Sequence, residues 1–449
     1  MKKLDLLFGA ALIASTLIGC GGGDKPAAGG PSPAPGTLLE TSLRVSHTVP
    51  DIEALRATSP LAGSAEPAAC GVDILHIVYS TLDPQGQPAT ASAAVMVPTG
   101  AGASCSGARP LLLYAHGTTV LKSYDMADPA HNDEALAIET VFAAQGYIVI
   151  APNYLGYDVS SLGYHPYLNA DVQAGDMIDG LTAGIAALGG APTAGLYVAG
   201  YSQGGHVAMA TQRALERDHA VQYPLTASFP MSGPYDLVQF SDDVTLPEGA
   251  VNIGATLFMP LLLTSYQNAY GNVYGQPSDA YQAPFDLTSP TLFPTDTPLD
   301  TLIANGELPA DDPTFTRLFG TGGLITDGFR AAYPGSAFRD DLSRNTLLGW
   351  NPKAPTVLCG GMDDPTVYFS NAGNARDDFA SRGVTVPVWD VETRSTLPEG
   401  SSYTEIYDSF KLAKAAVGAN WQMKYHGELV PPACYALARG FFAAHGAGQ

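Results

Sequence analysis

Hydrophobic positions in the middle of this chain come in short runs, each stopped by glycine, proline or a polar pair. Pro110–Ala115 and Tyr147–Pro152 are apolar throughout, as is Leu196–Ala199, and Leu225–Met231 follows as a further strand candidate. Unbroken runs of this kind are the pattern of strands buried on both faces in a parallel sheet. Between them the apolar positions take helical spacing. Leu136, Ile138, Val141 and Phe142 mark a helix over 135–144 closed by Gly146, and 172–188 reads as a second. Val207, Ala210, Thr211, Ala214 and Leu215 fall on one face of a third. Upstream, 72–80 and 89–97 alternate instead, and Asp83-Pro84-Gln85-Gly86 between them predicts a hairpin. The alternation of strand and helix predicts an α/β domain with a mostly parallel central sheet and helices on both faces.

From about 234 to 350 the alternation stops. The segment is rich in Pro, Gly, Tyr and Phe and carries the apolar stretch Leu257–Leu263. A structureless insertion of that length does not suit a compact domain, so a helical cap is expected, its apolar residues lining a pocket or forming the cap's own core. The pattern resumes with a strand over Thr356–Gly361, another over Val384–Trp389, and a final amphipathic helix over Cys434–Phe442.

The N-terminus is different in kind. A basic start, Met1-Lys2-Lys3, precedes an apolar run, Leu6–Ile18, too short for a permanent bilayer span. The run ends in Leu17-Ile18-Gly19-Cys20, which resembles a bacterial lipobox. That resemblance implies a signal peptide over 1–19 and a lipidated Cys20 as first mature residue. The Gly/Pro/Ala tract over 20–37 cannot bury a core and suits a tether, leaving a globular domain over 38–449. Gly21, not Asp, follows Cys20, so nothing signals inner-membrane retention. The expected location is the cell envelope, lipid-anchored at the outer membrane.

The formal net charge is −22 and no basic stripe exists, which excludes nucleic acid as an expected partner. Four cysteines remain besides Cys20. Cys70 and Cys105 flank the hairpin, whose two ends lie together, so a Cys70–Cys105 bridge is natural and leaves Cys359–Cys434. No CxxC or HExxH motif is present, and no metal is expected. Asp125-Met126-Ala127-Asp128 with Asn132-Asp133-Glu134 faintly echoes a calcium loop without its glycine, and reads as a solvated loop.

The chemistry-bearing stretch is Gly200-Tyr201-Ser202-Gln203-Gly204, a G-x-S-x-G pattern between a strand and a helix. A serine on so sharp a turn needs neighbours without side chains, and the Gln203 N–H beside it lies at a helix N-terminus, where negative charge is stabilised. On these residues the chain resembles the α/β-hydrolase superfamily. Within it, His116-Gly117-Thr118, His165-Pro166-Tyr167-Leu168, Gly360-Gly361-x-x-Asp364-Pro365-Thr366-Val367 and Tyr425-His426-Gly427 are similar, in order, to the secretory lipases, the Candida lipase A-like family.

The resemblance implies the α/β-hydrolase fold and a triad in the order serine, acid, histidine. Ser202 is then the nucleophile. Asp364 matches the family spacing as the acid, with the adjacent Asp363 left open and Asp390 as a third choice. After the acid only His426 and His445 remain; His445 lies among terminal residues, so His426 is the base. The N–H groups of Gln203 and Thr118 would form the oxyanion hole. His165 precedes the serine and His116 ends a strand; both read as structural. The implied activity is a cofactor-independent serine carboxylic-ester hydrolase, a lipase or esterase working through an acyl-enzyme on a small ester or lipid. The alternatives are a serine peptidase on the same fold and a non-catalytic surface lipoprotein.

Overall fold

In a computed structural model of the chain, which describes residues 32–62, 65–190, 193–246 and 251–446, the apolar runs form the middle of a sheet covered on both sides. Strands β1 (Leu38–His47), β2 (Gly71–Leu82), β3 (Pro88–Thr99), β4 (Arg109–Ala115), β5 (Ile148–Pro152), β6 (Thr193–Tyr201), β7 (Leu225–Met231), β8 (Leu358–Gly360) and β9 (Val388–Asp390) pair in the order β1-β2-β3-β5-β4-β6-β7-β8-β9. The first three strands join antiparallel up to the β3–β5 pair, and every pair from β5 to β9 is parallel. The sheet is therefore mixed and mostly parallel. The signal peptide expected over 1–19, Cys20 and most of the 20–37 tract lie outside the described residues. Among those described, no helix is long and apolar enough to cross a membrane.

Successive side chains on a strand point to opposite faces, and β4 shows what this demands. Leu111, Leu113 and Ala115 enter one core, Leu112 and Tyr114 the other, all essentially without solvent exposure. Helices cover both faces. Helix α1 (Val49–Arg56), α2 (Asp133–Val141) and the C-terminal helix Val430–Ala444 supply Ile52, Ile138, Phe441 and Phe442 to one core. Helices α3 (Ala170–Ala187) and α4 (Gln203–Ala214) supply Met177, Leu181, Val207 and Met209 to the other. Helix α2 starts two residues earlier than its apolar spacing suggests because the Asn132 side chain accepts from the Glu134 and Ala135 N–H groups.

The segment between β7 and β8 forms helices, among them α5 (Leu237–Thr245), α6 (Ala255–Tyr270) and Ala337–Asn345. It packs a separate apolar cluster in which Leu261, Leu263, Tyr266, Leu324, Phe338 and Leu342 are buried. The stretch 257–263 serves both purposes left open above, since Leu261 and Leu263 are core while Phe258, Met259 and Leu262 face a cleft.

Other features also depart from the sequence reading. β1 was not expected; it is an edge strand with most side chains in solvent, so its pattern is weak. The 17-residue helix Ser401–Val417 intervenes before the histidine loop. The 125–134 loop is not solvated throughout. Asp125, Met126 and Ala127 are buried, because Asp125 accepts from the Ala127 N–H, the Asn153 amide and the Arg44 guanidinium.

Cys70 is bonded to Cys105, and Cys359 to Cys434. The second bridge joins β8 to the C-terminal helix across a sequence separation of 75 residues. Closing a loop of that length restricts the unfolded chain, and removing such a bridge typically costs about 2–5 kcal/mol. The double variant Cys359→Ser/Cys434→Ser is therefore expected to unfold at lower temperature than the parent under non-reducing conditions, and a reducing agent, which opens both bridges, is expected to lower the parent at least as far; thermal melts with and without reductant check this.

Candidate active site

The site sits beyond the carboxyl ends of the parallel strands, where an open α/β sheet presents its loops. β6 delivers Ser202, which joins it to α4 with φ 59° and ψ −122°, a conformation a side-chain-bearing residue adopts only under strain. The glycines explain how the turn closes. A Cβ on Gly200 would collide with the carbonyls of Gly204 and Ala115, and one on Gly204 with those of Ala115 and His116. Around them the Ser202 N–H donates to the Met231 carbonyl on β7 at 2.9 Å, and the Ser202 carbonyl accepts from Gly205 at 2.8 Å.

Ser202 Oγ lies 2.7 Å from His426 Nε2, and His426 Nδ1 lies 2.7 Å from Asp364 Oδ2. The three residues are separated by up to 224 positions in sequence. The carboxylate sets the tautomer: Nδ1–H donates to Asp364, so Nε2 offers a lone pair to the serine O–H. The other Asp364 oxygen accepts from the backbone N–H groups of Thr366 and Val367 at 2.9 and 3.1 Å. Every oxygen of this buried carboxylate is thus engaged.

The geometry separates the three acids that the spacing left open. Asp363 points outward, half exposed, to the Lys414 ammonium at 2.7 Å. Asp390 accepts from the Met362 and Glu392 N–H groups and the Thr393 hydroxyl, bracing the acid loop from behind. Only Asp364 meets the ring. His445 closes onto the Phe441 carbonyl at the far end of the last helix.

His426 lies in the wide turn Tyr425–Leu429 that opens into the C-terminal helix. Its carbonyl accepts from Tyr201 Oη at 2.7 Å, so the residue beside the serine holds the histidine's backbone. Tyr425 Oη donates to Glu392 at 3.0 Å, and Glu392 in turn binds Lys411 and Lys414. The charged network ties the histidine turn to the loop after β9.

Ser202, Gln203 and Thr118 share the wall of one cleft. The rest of the wall is largely apolar and comes from the helical insertion and its borders, including Leu237, Phe240, Phe258, Met259 and Leu262. Among the described residues neither the Thr118 nor the Gln203 backbone N–H has a protein acceptor. The Thr118 hydroxyl bonds to Tyr167 Oη at 3.0 Å.

Two buried histidines read as structural in sequence touch this machinery. His165 Nδ1–H donates to the Leu155 carbonyl at 2.7 Å, which leaves Nε2 to accept from the Gln203 side-chain amide at 2.6 Å. Burial pushes this imidazole down to about 3, so it stays neutral. His116 stacks on Tyr154 at 4.0 Å and faces Tyr124 at 4.5 Å, with burial pushing it down to about 4. Glu134, read in sequence as part of a solvated loop, accepts the Gly117 N–H on both oxygens at 3.0 and 3.1 Å. No local pattern marks it, since it lies in the first turn of α2 and only the fold brings it under the 117–118 loop.

One cluster has the composition of a cation site: His76, Asp125 and Asp158 bring ligand atoms within 4.8 Å of one another. Each is already engaged. Asp158 takes His76 Nε2 at 2.7 Å and Ser92 Oγ at 2.6 Å, and Asp125 takes Arg44 at 3.1 Å. The arrangement is a closed hydrogen-bond network carrying its own guanidinium.

No protein-family model and no curated protein sequence matches the chain. Solved structures do. The rice cell wall degrading esterase LipA from Xanthomonas oryzae is 34% identical over 80% of this chain and 91% of its own, with a TM-score of 0.70. A ligand-bound form of the same esterase is 31% identical over 91% of this chain and 98% of its own, with a TM-score of 0.73. Candida antarctica lipase A, at 11% identity and a TM-score of 0.55 over 79% of this chain and 76% of its own, shares the fold.

The packing at Gly204 carries a prediction. Its neighbours are backbone carbonyls that no rotamer change can move, so Gly204→Ala forces the turn apart. The expected result is a protein that melts several degrees below the parent and no longer reacts with a fluorophosphonate serine probe. A full-occupancy adduct on Ser202 in that variant, seen by mass spectrometry, would contradict it.

Proposed function

This chain belongs to the α/β-hydrolase family, with the LipA esterase as a relative, and from that premise we propose that it is a serine carboxylic-ester hydrolase working through an acyl-enzyme. The observation that carries the proposal is the hydrogen-bonded line from Ser202 Oγ through His426 to Asp364, 2.7 Å at each step. In this reading Ser202 attacks the ester carbonyl as His426 Nε2 takes its proton. His426 then gives that proton to the leaving alcohol, and Asp364 holds the ring and stabilises its cationic form. The second half repeats the cycle with water. The Gln203 and Thr118 N–H groups, free of protein partners among the described residues, receive the oxyanion, and one such donor is typically worth about 3 kcal/mol. The chemistry needs no cofactor.

The helical insertion acts as a cap in this proposal, and its apolar wall beside Ser202 takes the acyl chain of a small ester or lipid. We also place the protein in the cell envelope, tethered through a lipidated Cys20 and the 20–37 linker. Support for that comes from the Leu17-Ile18-Gly19-Cys20 pattern. Metabolic labelling with radioactive palmitate should mark the parent and not Cys20→Ser, and equal labelling of both would remove the anchor.

Nitrophenyl esters of graded chain length, run beside an amide substrate, test the activity. Ser202→Ala is expected to abolish ester cleavage. Asp364→Asn is expected to lower kcat by roughly 10⁴-fold, as loss of the ring-orienting carboxylate does. Asp363→Asn, which removes only a half-exposed ion pair, is expected to stay within a few-fold of the parent. Amide cleavage that depends on Ser202 would favour a peptidase, and an inert parent a non-catalytic protein.

A further inference from the structure

We propose that His116 is a positioning residue of the oxyanion hole, polarising through its Nδ1–H the one peptide group whose N–H is the Thr118 donor. The proposal rests on the ester-hydrolase reading above and deepens it. The chemistry lies in which atoms share a peptide. The Gly117 carbonyl and the Thr118 N–H belong to the same planar unit. His116 Nδ1 lies 2.7 Å from that carbonyl oxygen. A hydrogen bond to a peptide oxygen draws electron density from its nitrogen and makes the N–H at the other end a stronger donor, since hydrogen bonds in a chain polarise one another in a low-dielectric setting. The Thr118 N–H has no protein acceptor among the described residues, and Thr118 lines the cleft that holds Ser202. The polarisation is therefore available to an oxygen that gains charge there.

The surroundings fix this geometry from three sides. The ring is fully buried and clamped between Tyr154 and Tyr124. The His116 carbonyl accepts from Tyr154 Oη at 3.0 Å, and the Gly117 N–H is held by both oxygens of Glu134. The strand end, the ring and the loop are thus tied to one another. The ring faces two carbonyls, Gly117 at 2.7 Å and Asn153 at 3.1 Å. Burial keeps it neutral, so it has a single proton to give. The shorter contact takes it.

Three variants separate polarisation from mere packing. His116→Phe keeps a flat ring in the tyrosine clamp and removes both nitrogens. His116→Asn can set an amide N–H where Nδ1 was, and His116→Gln where Nε2 was. With nitrophenyl butyrate, the Phe variant is expected to lose about tenfold in kcat with KM unchanged, a fraction of what losing a whole oxyanion donor costs. The affinity for a trifluoromethyl ketone, whose adduct carries the oxyanion, should fall by the same factor. Asn should recover most of the loss and Gln little of it. A Phe variant with parental kcat, an unchanged inhibitor affinity, or rescue by Gln in place of Asn would overturn the proposal. Should the Phe variant fail to fold, the Asn and Gln pair still decides.

A readout independent of activity separates this from failure of the hydrolase reading. In the parent, ¹⁵N-histidine spectra must show His116 Nδ1 as a protonated, pyrrole-type nitrogen; a pyridine-type Nδ1 rejects the hydrogen bond outright. An inert parent with a protonated Nδ1 would reject the catalytic half alone.

Discussion

Everything at this site depends on one backbone conformation. Ser202 is held at φ 59° and ψ −122°, a region that typically costs about 1–3 kcal/mol for a residue with a side chain. The surrounding structure over-determines it. β7 accepts the serine N–H, α4 caps its carbonyl, and the strand and helix approach so closely at Gly200 and Gly204 that only hydrogen fits between them. The strain has a geometric return. It lifts Oγ above the carboxyl edge of the sheet, and it leaves the first N–H of α4 without an intrahelical acceptor, as helix starts do. In the proposed mechanism, one turn therefore presents the attacking oxygen and half of the pocket for the charge that the attack creates.

The other two members of the hydrogen-bonded line arrive from far along the chain, and each is fastened to the turn or to the sheet beside it. Tyr201, next to the serine, donates to the His426 carbonyl. The Cys359–Cys434 bridge ties the strand before Asp364 to the helix after His426. Asp390 binds the Met362 N–H, and Lys414 spans Asp363 and Glu392, so the loops after β8 and β9 brace each other. Such fixing matters because a displacement near 1 Å in a reacting group can cost two orders of magnitude in rate.

The fold was legible where a segment's environment is uniform. Fully buried strands such as Tyr147–Pro152 carry one kind of residue because both faces are apolar, and the alternating hairpin gave its turn and its disulfide. The reading failed at β1, whose outer positions meet solvent and blur the period, and at the start of α2, set by one asparagine cap. At the site, Ser202 was legible because its constraint is local: two glycines two residues away. Thr118 and Asp364 followed from resemblance, and Asp363 could not be set aside by spacing alone. What separates the adjacent acids is which one the loop turns inward. That depends on the Thr366 and Val367 N–H groups and on Lys414, which joins through tertiary packing.

The histidines make the same point chemically. A general base must gain a positive charge, and burial without an anion opposes that. His116, His165 and His206 are all buried, face carbonyls or amides, and are pushed down to about 4, 3 and 4 by desolvation. They hold single protons as fixed donors and acceptors and suit scaffolding. His426 alone of the histidines around the serine turn keeps partial access to solvent and stands against a carboxylate whose other oxygen is tied to backbone. His165, which chain order sets aside as a candidate base, has surroundings of the same kind as the other buried histidines. Its Nε2 lone pair is taken by Gln203, and no acid stands behind it to support a proton gained there.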